Sequence, residues 1–316
     1  MTEQTAESVE RVLHEELVRG DAMIATARPI LRHLLANDDN GLFSDEMIAR
    51  VRGMMLDVAA QLLFVQGEAA EVRDRPAYID ERQEDLAQAL FEDSDFLSHA
   101  HALTVEAQLI ERLHTRSGID PVLSPLIQEL VASKDGGAAG LAMAVLAAQA
   151  RFQQHYRRME LPLRELPGDL FHRALVLLRE GAVADDGAAA EIAERQLRDE
   201  YQESAGRLGL IARLVMGMGQ KATRALAIDH AGLSIFATAL SMASGQERTL
   251  AVLSFAERQY ARLALSLVAS GLGRQEVVAQ FLCLHPDVAL PDGFEMLRSD
   301  RAAALLAASQ PEPVAF

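Results

Sequence analysis

Glu111-Arg-Leu-His114 puts a carboxylate and an imidazole one turn apart on a single helix face, the arrangement with which helical bundles hold paired metal ions. Asp169-Leu-Phe-His172 repeats the spacing with a shorter acid. A two-metal site also needs a matched second Glu-x-x-His and two further Glu from facing helices, and no such set is present. A metal-binding enzyme or sensor using Glu111, His114, Asp169 and His172 is therefore the alternative reading; Glu111 and His114 read first as surface residues. Ser98-His-Ala-His-Ala-Leu103 offers His99 and His101 for phosphotransfer, but Ala-Leu-Thr-Val follows His101 where a phosphorelay helix carries Lys and Gly. A phosphorelay module on His101 is a third reading, and the plainer expectation is one histidine in solvent and the other at a helix contact.

Gly217-Met-Gly-Gln-Lys-Ala-Thr223 has the residue types of a phosphate loop without its spacing, and an apolar helical run precedes it instead of a strand. It reads as a break between helices. Asp229-His230 has no Ser or Cys nucleophile on a recognisable elbow to relay to, and reads as a helix cap before Ala231. Cys283 is the lone cysteine, which rules out an internal disulfide, and no CxxC or Cys/His spacing suggests zinc. No catalytic residue and no cofactor is assigned.

The chain has 316 residues, half of them apolar, with 46 Asp plus Glu against 30 Lys plus Arg and a net charge of −16. That charge opposes the phosphate neutralisation on which nucleic-acid and anionic-membrane binding depend. With no Trp and few Tyr, the chain also lacks an aromatic platform for bases. The N-terminus is acidic from Glu3 and shows neither the basic nor the apolar region of a secretory signal, so a cytoplasmic location is expected. The uncharged runs 136–150 and 231–246 are too short to span a membrane and read as buried core helices.

Apolar residues recur at helical spacing nearly throughout, and no alternating run argues for a strand, so the fold class is all-α. Asp120-Pro121 predicts a helix start, with Val122, Leu123, Leu126, Ile127, Leu130 and Val131 on its face and an end near Ser133. Asp93 or Ser94 caps a stripe of Phe96, Ala100, Leu103, Ala107, Ile110 and Leu113. Ile48, Val51, Met55, Val58 and Leu62 form another after Ser44. Leu250 to Leu267 reads as one long helix stopping at Gly271, followed by helices through Val277 to Phe281, Asp292 to Arg298 and Asp300 to Ala308. Two Glu-Leu-Pro triplets within 160–167 forbid a continuous helix and divide the chain into helical halves, 1–160 and 161–308, with a tail at 309–316. A second loop is expected over 181–187.

Leu90-Phe-Glu-Asp-Ser-Asp95 and Leu130-Val-Ala-Ser-Lys-Asp135 each join an apolar helix end to an Ala-rich helix, about 40 residues apart, with a looser copy from Leu34. That is the grammar of HEAT-type helical pairs. The expected architecture is a degenerate HEAT-like array or an irregular helical bundle. Leu141-Ala-Met-Ala-Val-Leu-Ala-Ala-Gln-Ala-Arg-Phe152, Arg157-Arg-Met-Glu-Leu-Pro and Arg301-Ala-Ala-Ala-Leu-Leu306 resemble an uncharacterised, mainly alphaproteobacterial family of helical HEAT-like proteins. The resemblance implies a fold over residues 30 to 308 and no catalytic residue.

Charge is unevenly spread. Residues 66 to 106 hold eleven acids against three arginines, while Arg151, Arg157, Arg158 and Arg164 outnumber Glu160 and Glu165 beside the proline break. Either is a solvated face or an electrostatic docking surface. The leading expectation is a non-enzymatic helical scaffold that binds a protein partner, with Arg151, Arg157, Arg158 and Arg164 as the interaction surface and a second copy of the chain as one candidate partner.

Overall fold

The computed structural model describes residues 2–36, 45–181, 187–256, 259–291 and 294–309. Every regular element among them is helical, so the fold is all-α. The helices are α1 (Thr2–Ala36), α2 (Asp45–Ala69), α3 (Arg75–Glu92), α4 (Ser94–Ser117), α5 (Pro125–Val131), α6 (Gly136–Arg158), α7 (Gly168–Glu180) and α8 (Gly187–Glu200). They continue as α9 (Arg207–Gly217), α10 (Ile228–Ala231), α11 (Leu233–Ser244), α12 (Arg248–Leu253), α13 (Tyr260–Ala269), α14 (Arg274–Leu284) and α15 (Ser299–Ala308), with short 3₁₀ turns between some of them. The loop expected over 181–187, the copy from Leu34 and the tail fall largely or wholly outside the described residues.

The chain divides into two compact units. One comprises Arg28–Thr104 and Ala147–Leu210. Its core is the predicted stripe of α2, with Val51, Met55, Val58 and Leu62 fully enclosed, packed with Leu90 and Phe96 and with Leu170, Ala174 and Leu175 of α7. The run Glu160–Pro167 lies inside this unit, between α6 and α7. The other unit comprises Met1–Ala27, Val105–Leu146 and Ile211–Phe316. Its core includes Phe236, Phe255, Leu263, Leu267 and Phe281. Arg248 of α12 reaches the enclosed carboxylate of Glu106 at 3.0 Å and the Thr238 hydroxyl at 3.0 Å, so the buried charge is paired.

Several local expectations shift. Asp120 caps only a turn, its carboxylate accepting from Val122 and Leu123 N–H at 2.8 and 2.7 Å. The helix begins at Pro125, because a residue before proline is held extended and Ser124 (ψ 158°) cannot be helical; its hydroxyl accepts from Ile127 N–H at 3.4 Å. The single helix expected from Leu250 to Leu267 is two, α12 and α13. Of the helix expected from Asp292 to Arg298, the described residues from 294 on form only the 3₁₀ turn Phe294–Met296. Asp93 caps α4 through Phe96 N–H at 3.1 Å, and Asp135 caps α6 through Gly137 N–H at 2.9 Å, so the capping residues fall out of the forty-residue register. The run 231–246 contains the nearly all-buried α11, but 136–150 is a half-exposed face of small residues in which only Ala142, Val145, Ala148 and Gln149 are buried. Alanine and glycine bring too little apolar area to require burial.

Candidate binding surfaces

The arginines singled out in the sequence gather at the end of α6 and in the proline segment that follows. Helix α6 stops in a Schellman-type turn: Glu160 N–H bonds back to His155 C=O at 2.9 Å, and Met159 takes a left-handed conformation (φ 59°). Glycine usually fills that position. Here the glycine stands opposite, on α2, where a Cβ at Gly53 would lie 2.5 Å from the Met159 Cβ. Arg50 donates to Tyr156 C=O at 2.7 Å and lies 4.1 Å over the Tyr156 ring, which fixes the last turn of α6. Arg157 and Arg158 sit in that turn, favourably placed at a helix C-terminus, and both are exposed. Arg158 lies 4.0 Å from Glu160; Arg157 forms no ion pair among the described residues.

The proline segment is stapled along α2. Asp57 accepts from Leu161 N–H at 2.8 Å and from the Gln61 amide at 2.7 Å. Gln61 also donates to Leu161 C=O at 3.0 Å and accepts from Leu163 N–H at 3.0 Å. Burial raises the Asp57 carboxyl above its ordinary value, against the lowering pull of the Leu161 bond. At its far end Glu165 accepts from Arg207 N–H at 2.7 Å, and the enclosed Arg207 guanidinium lies 3.8 Å over Phe152. A segment that cannot be helical is thereby held rigid, with Arg164 exposed and only 3.9 Å from Glu165. Arg151 differs from the other three: it is half-buried, with Nε enclosed.

Beside Arg164 opens a shallow groove of about 650 Å³, lined by Phe64 and Val65 of α2, Ile79 of α3, Leu163, and Leu197 of α8. Phe171 and Tyr201 stack at 3.9 Å at its wall, and the Tyr201 hydroxyl donates to Leu166 C=O at 2.8 Å. Phe64 is 46% exposed, and Arg75 lies 5.2 Å over its ring. Phe64 is the residue that sequence reasoning missed. It lies off the core stripe of α2, and an aromatic side chain outside the buried face of an amphipathic helix was the available signal. The acidic run from residue 66 rims a second concavity in the same unit, between α3 and α7.

None of the remaining candidates lines either concavity. Glu111 and His114 are exposed on α4, with His114 Nδ1 3.2 Å from Ile119 C=O. Asp169 and His172 are exposed on α7, where His172 Nδ1 is 2.8 Å from an Arg198 nitrogen. Among the described residues no three His, Cys, Asp or Glu side chains gather as metal ligands. His99 is buried and His101 is half-buried, its imidazole pushed down to about 4 by burial, so neither lies open to solvent as one was expected to. Their helix carries its apolar stripe across both positions. Asp229 and His230 lie inside α10, and the helix they were expected to cap starts at Leu233 after Gly232; His230 Nε2 is 3.0 Å from an Arg224 nitrogen. Gly217 ends α9 and Gly219 takes φ 53° before a 3₁₀ turn, which is the break expected there. No described helix is long and apolar enough to cross a membrane. Compared with protein-family models, curated proteins and solved structures, the chain matches none of them.

Proposed function

We propose that this chain is a non-enzymatic helical scaffold that docks a protein partner on the groove between α2, the proline segment and α8. The observation that carries the reading is Phe64, a nearly half-exposed aromatic in an apolar groove whose border carries the exposed guanidinium of Arg164. Aromatic and arginine side chains are the types that dominate interface energetics when a partner encloses them. Arg157 and Arg158, at the start of the same stapled segment, add positive charge suited to an acidic partner surface. The matching partner presents an apolar anchor flanked by Asp or Glu. Its cytoplasmic setting and the HEAT-like character of the helical pairs belong to the same proposal.

Affinity capture on the tagged full chain at low and moderate salt, with mass spectrometry of what is retained, tests it. A stoichiometric partner is expected to be lost with Phe64→Asp. With Arg157→Glu/Arg158→Glu, capture should weaken most at low salt while the helical circular dichroism and melting stay unchanged. Capture that neither variant alters would remove this groove as the docking site. Sedimentation of the purified chain shows whether a second copy is the occupant.

A further inference from the structure

The cleft between α2, α3 and α7 holds about 690 Å³, within the range of small-molecule sites, and has a different chemistry from the groove. On helix α2, Leu63 and Gln66 face the cleft while Ala60, Gln61, Phe64 and Val65 face the groove, so the two concavities lie on opposite sides of one helix. The cleft floor is apolar, formed by Leu63, Leu86, Leu177 and Leu178. Gln66 lines it at 2% exposure, and its carboxamide has no hydrogen bond among the described residues. An amide carries two donors and an acceptor, and with no partner among the described residues these are available to a molecule that enters the cleft.

The charges around the cleft are unbalanced. Arg173 is taken by Asp93 at 2.8 Å, and Arg82 is taken by Glu81 at 3.0 Å and lies 4.1 Å over the Tyr78 ring. Asp85 on α3 and Glu180 at the end of α7, on facing walls, are exposed and form no ion pair among the described residues. The combination is a leucine floor, a nearly buried amide with no partner among the described residues, and exposed carboxylates without ion pairs on facing walls.

We propose that this cleft is a binding site for a small organic amine: a protonated amino group held by Asp85 and Glu180, an apolar body over the leucines, and a hydrogen-bonding group that reaches Gln66. The site is independent of the protein-docking groove and does not rest on it.

The test uses dansylcadaverine, which carries a primary amine, an aromatic body and a sulfonamide, and whose emission reports transfer out of water. Titrated against the full chain, it is expected to bind with enhanced emission. N-acetylation of its amine should weaken binding at least tenfold. Asp85→Asn/Glu180→Gln should cost the amine a similar factor and leave the acetylated probe unaffected, so that the two changes are not additive. Gln66→Leu should weaken both probes at least threefold. Both rim residues are exposed, so the double variant should keep the wild-type melting temperature. Three results would overturn the proposal: no emission change, equal binding of amine and acetylated probe, or equal sensitivity of both probes to the rim variant. Binding of a Lys-rich amphipathic peptide at the cleft with no binding of the small probe would overturn it as well and assign the cleft to a protein. Because the rim variants leave Phe64 and Arg164 in place, failure here is distinguishable from failure of the docking groove.

Discussion

His101 is held neutral where an ordinary histidine would be taking up a proton, since burial lowers its pKa from 6.5 to about 4. The unfolded chain binds that proton near 6.5 and the folded chain does not, so the folded state loses stability as pH falls from about 6.5 toward 4. At the acid end the loss amounts to roughly 3 kcal/mol. His101→Gln is expected to remove it: urea midpoints of wild type and variant, measured from about pH 7 down to about pH 4.5, should show the wild type losing ground to the variant as the pH falls. A constant gap would mean that the folded ring protonates normally. Nothing in Ser98-His-Ala-His-Ala-Leu103 distinguishes a packed histidine from an exposed one, because alanine neighbours fit either side of a helix. Gln66, by contrast, was legible: it falls four residues after Leu62 on the buried face of α2, a polar residue at an apolar position.

At the scale of elements, the close approach of α2 to the end of α6 sets where the exposed arginines stand. Met159 holds a left-handed conformation that disfavours non-glycine residues, and Gly53 supplies the room its side chain needs. Gly53→Ala adds a Cβ within 2.5 Å of the Met159 Cβ, an atom fixed to the backbone that cannot swing aside. The expected cost is about 1 to 3 kcal/mol, read as a lower denaturant midpoint at unchanged slope. A neutral result would show that the α6 turn relaxes freely and that the arginines beyond it are not rigidly placed. The core stripes of α2 and α4 were legible because apolar residues at three- and four-residue spacing have one way to be buried. The start of α5 was not, because Asp120-Pro121 and Ser124-Pro125 are the same signal in succession and only the second is followed by enough helical turns to continue. The groove was half legible. The proline triplets foretold a non-helical segment beside charged residues, but its attachment to Asp57 and Gln61 pairs residues about a hundred positions apart, which no local pattern encodes.

At the scale of the whole molecule, one unit is assembled from three separate stretches of chain, and its first helix and the residue after α15 meet at a buried cation. Arg262 of α13, 1% exposed, forms an ion pair with Asp21 of α1 and donates to Ser309 C=O at 2.9 Å and to Gln246 Oε1 at 2.6 Å. The Ser309 hydroxyl bonds Asp21 in turn, so the first helix and the residue after the last are tied to the same guanidinium. Removing one partner of a buried pair leaves the other desolvated and uncompensated, at a cost of about 3 to 5 kcal/mol, whereas replacing both costs far less. Arg262→Ala is therefore expected to lower amide-exchange protection in α1 and α15 together, although nearly the whole sequence separates them, while α11 in the same unit keeps its protection. Arg262→Met combined with Asp21→Asn should restore most of it. Apolar contacts compete for the same role, since Val9, Leu13 and Leu17 are buried on α1 and Ala302 and Leu306 on α15. Exchange that rises only around Arg262 would show that those contacts hold the two ends without the ion pair. A joint rise, reversed by the double substitution, would identify the buried charge as the tie that closes the unit.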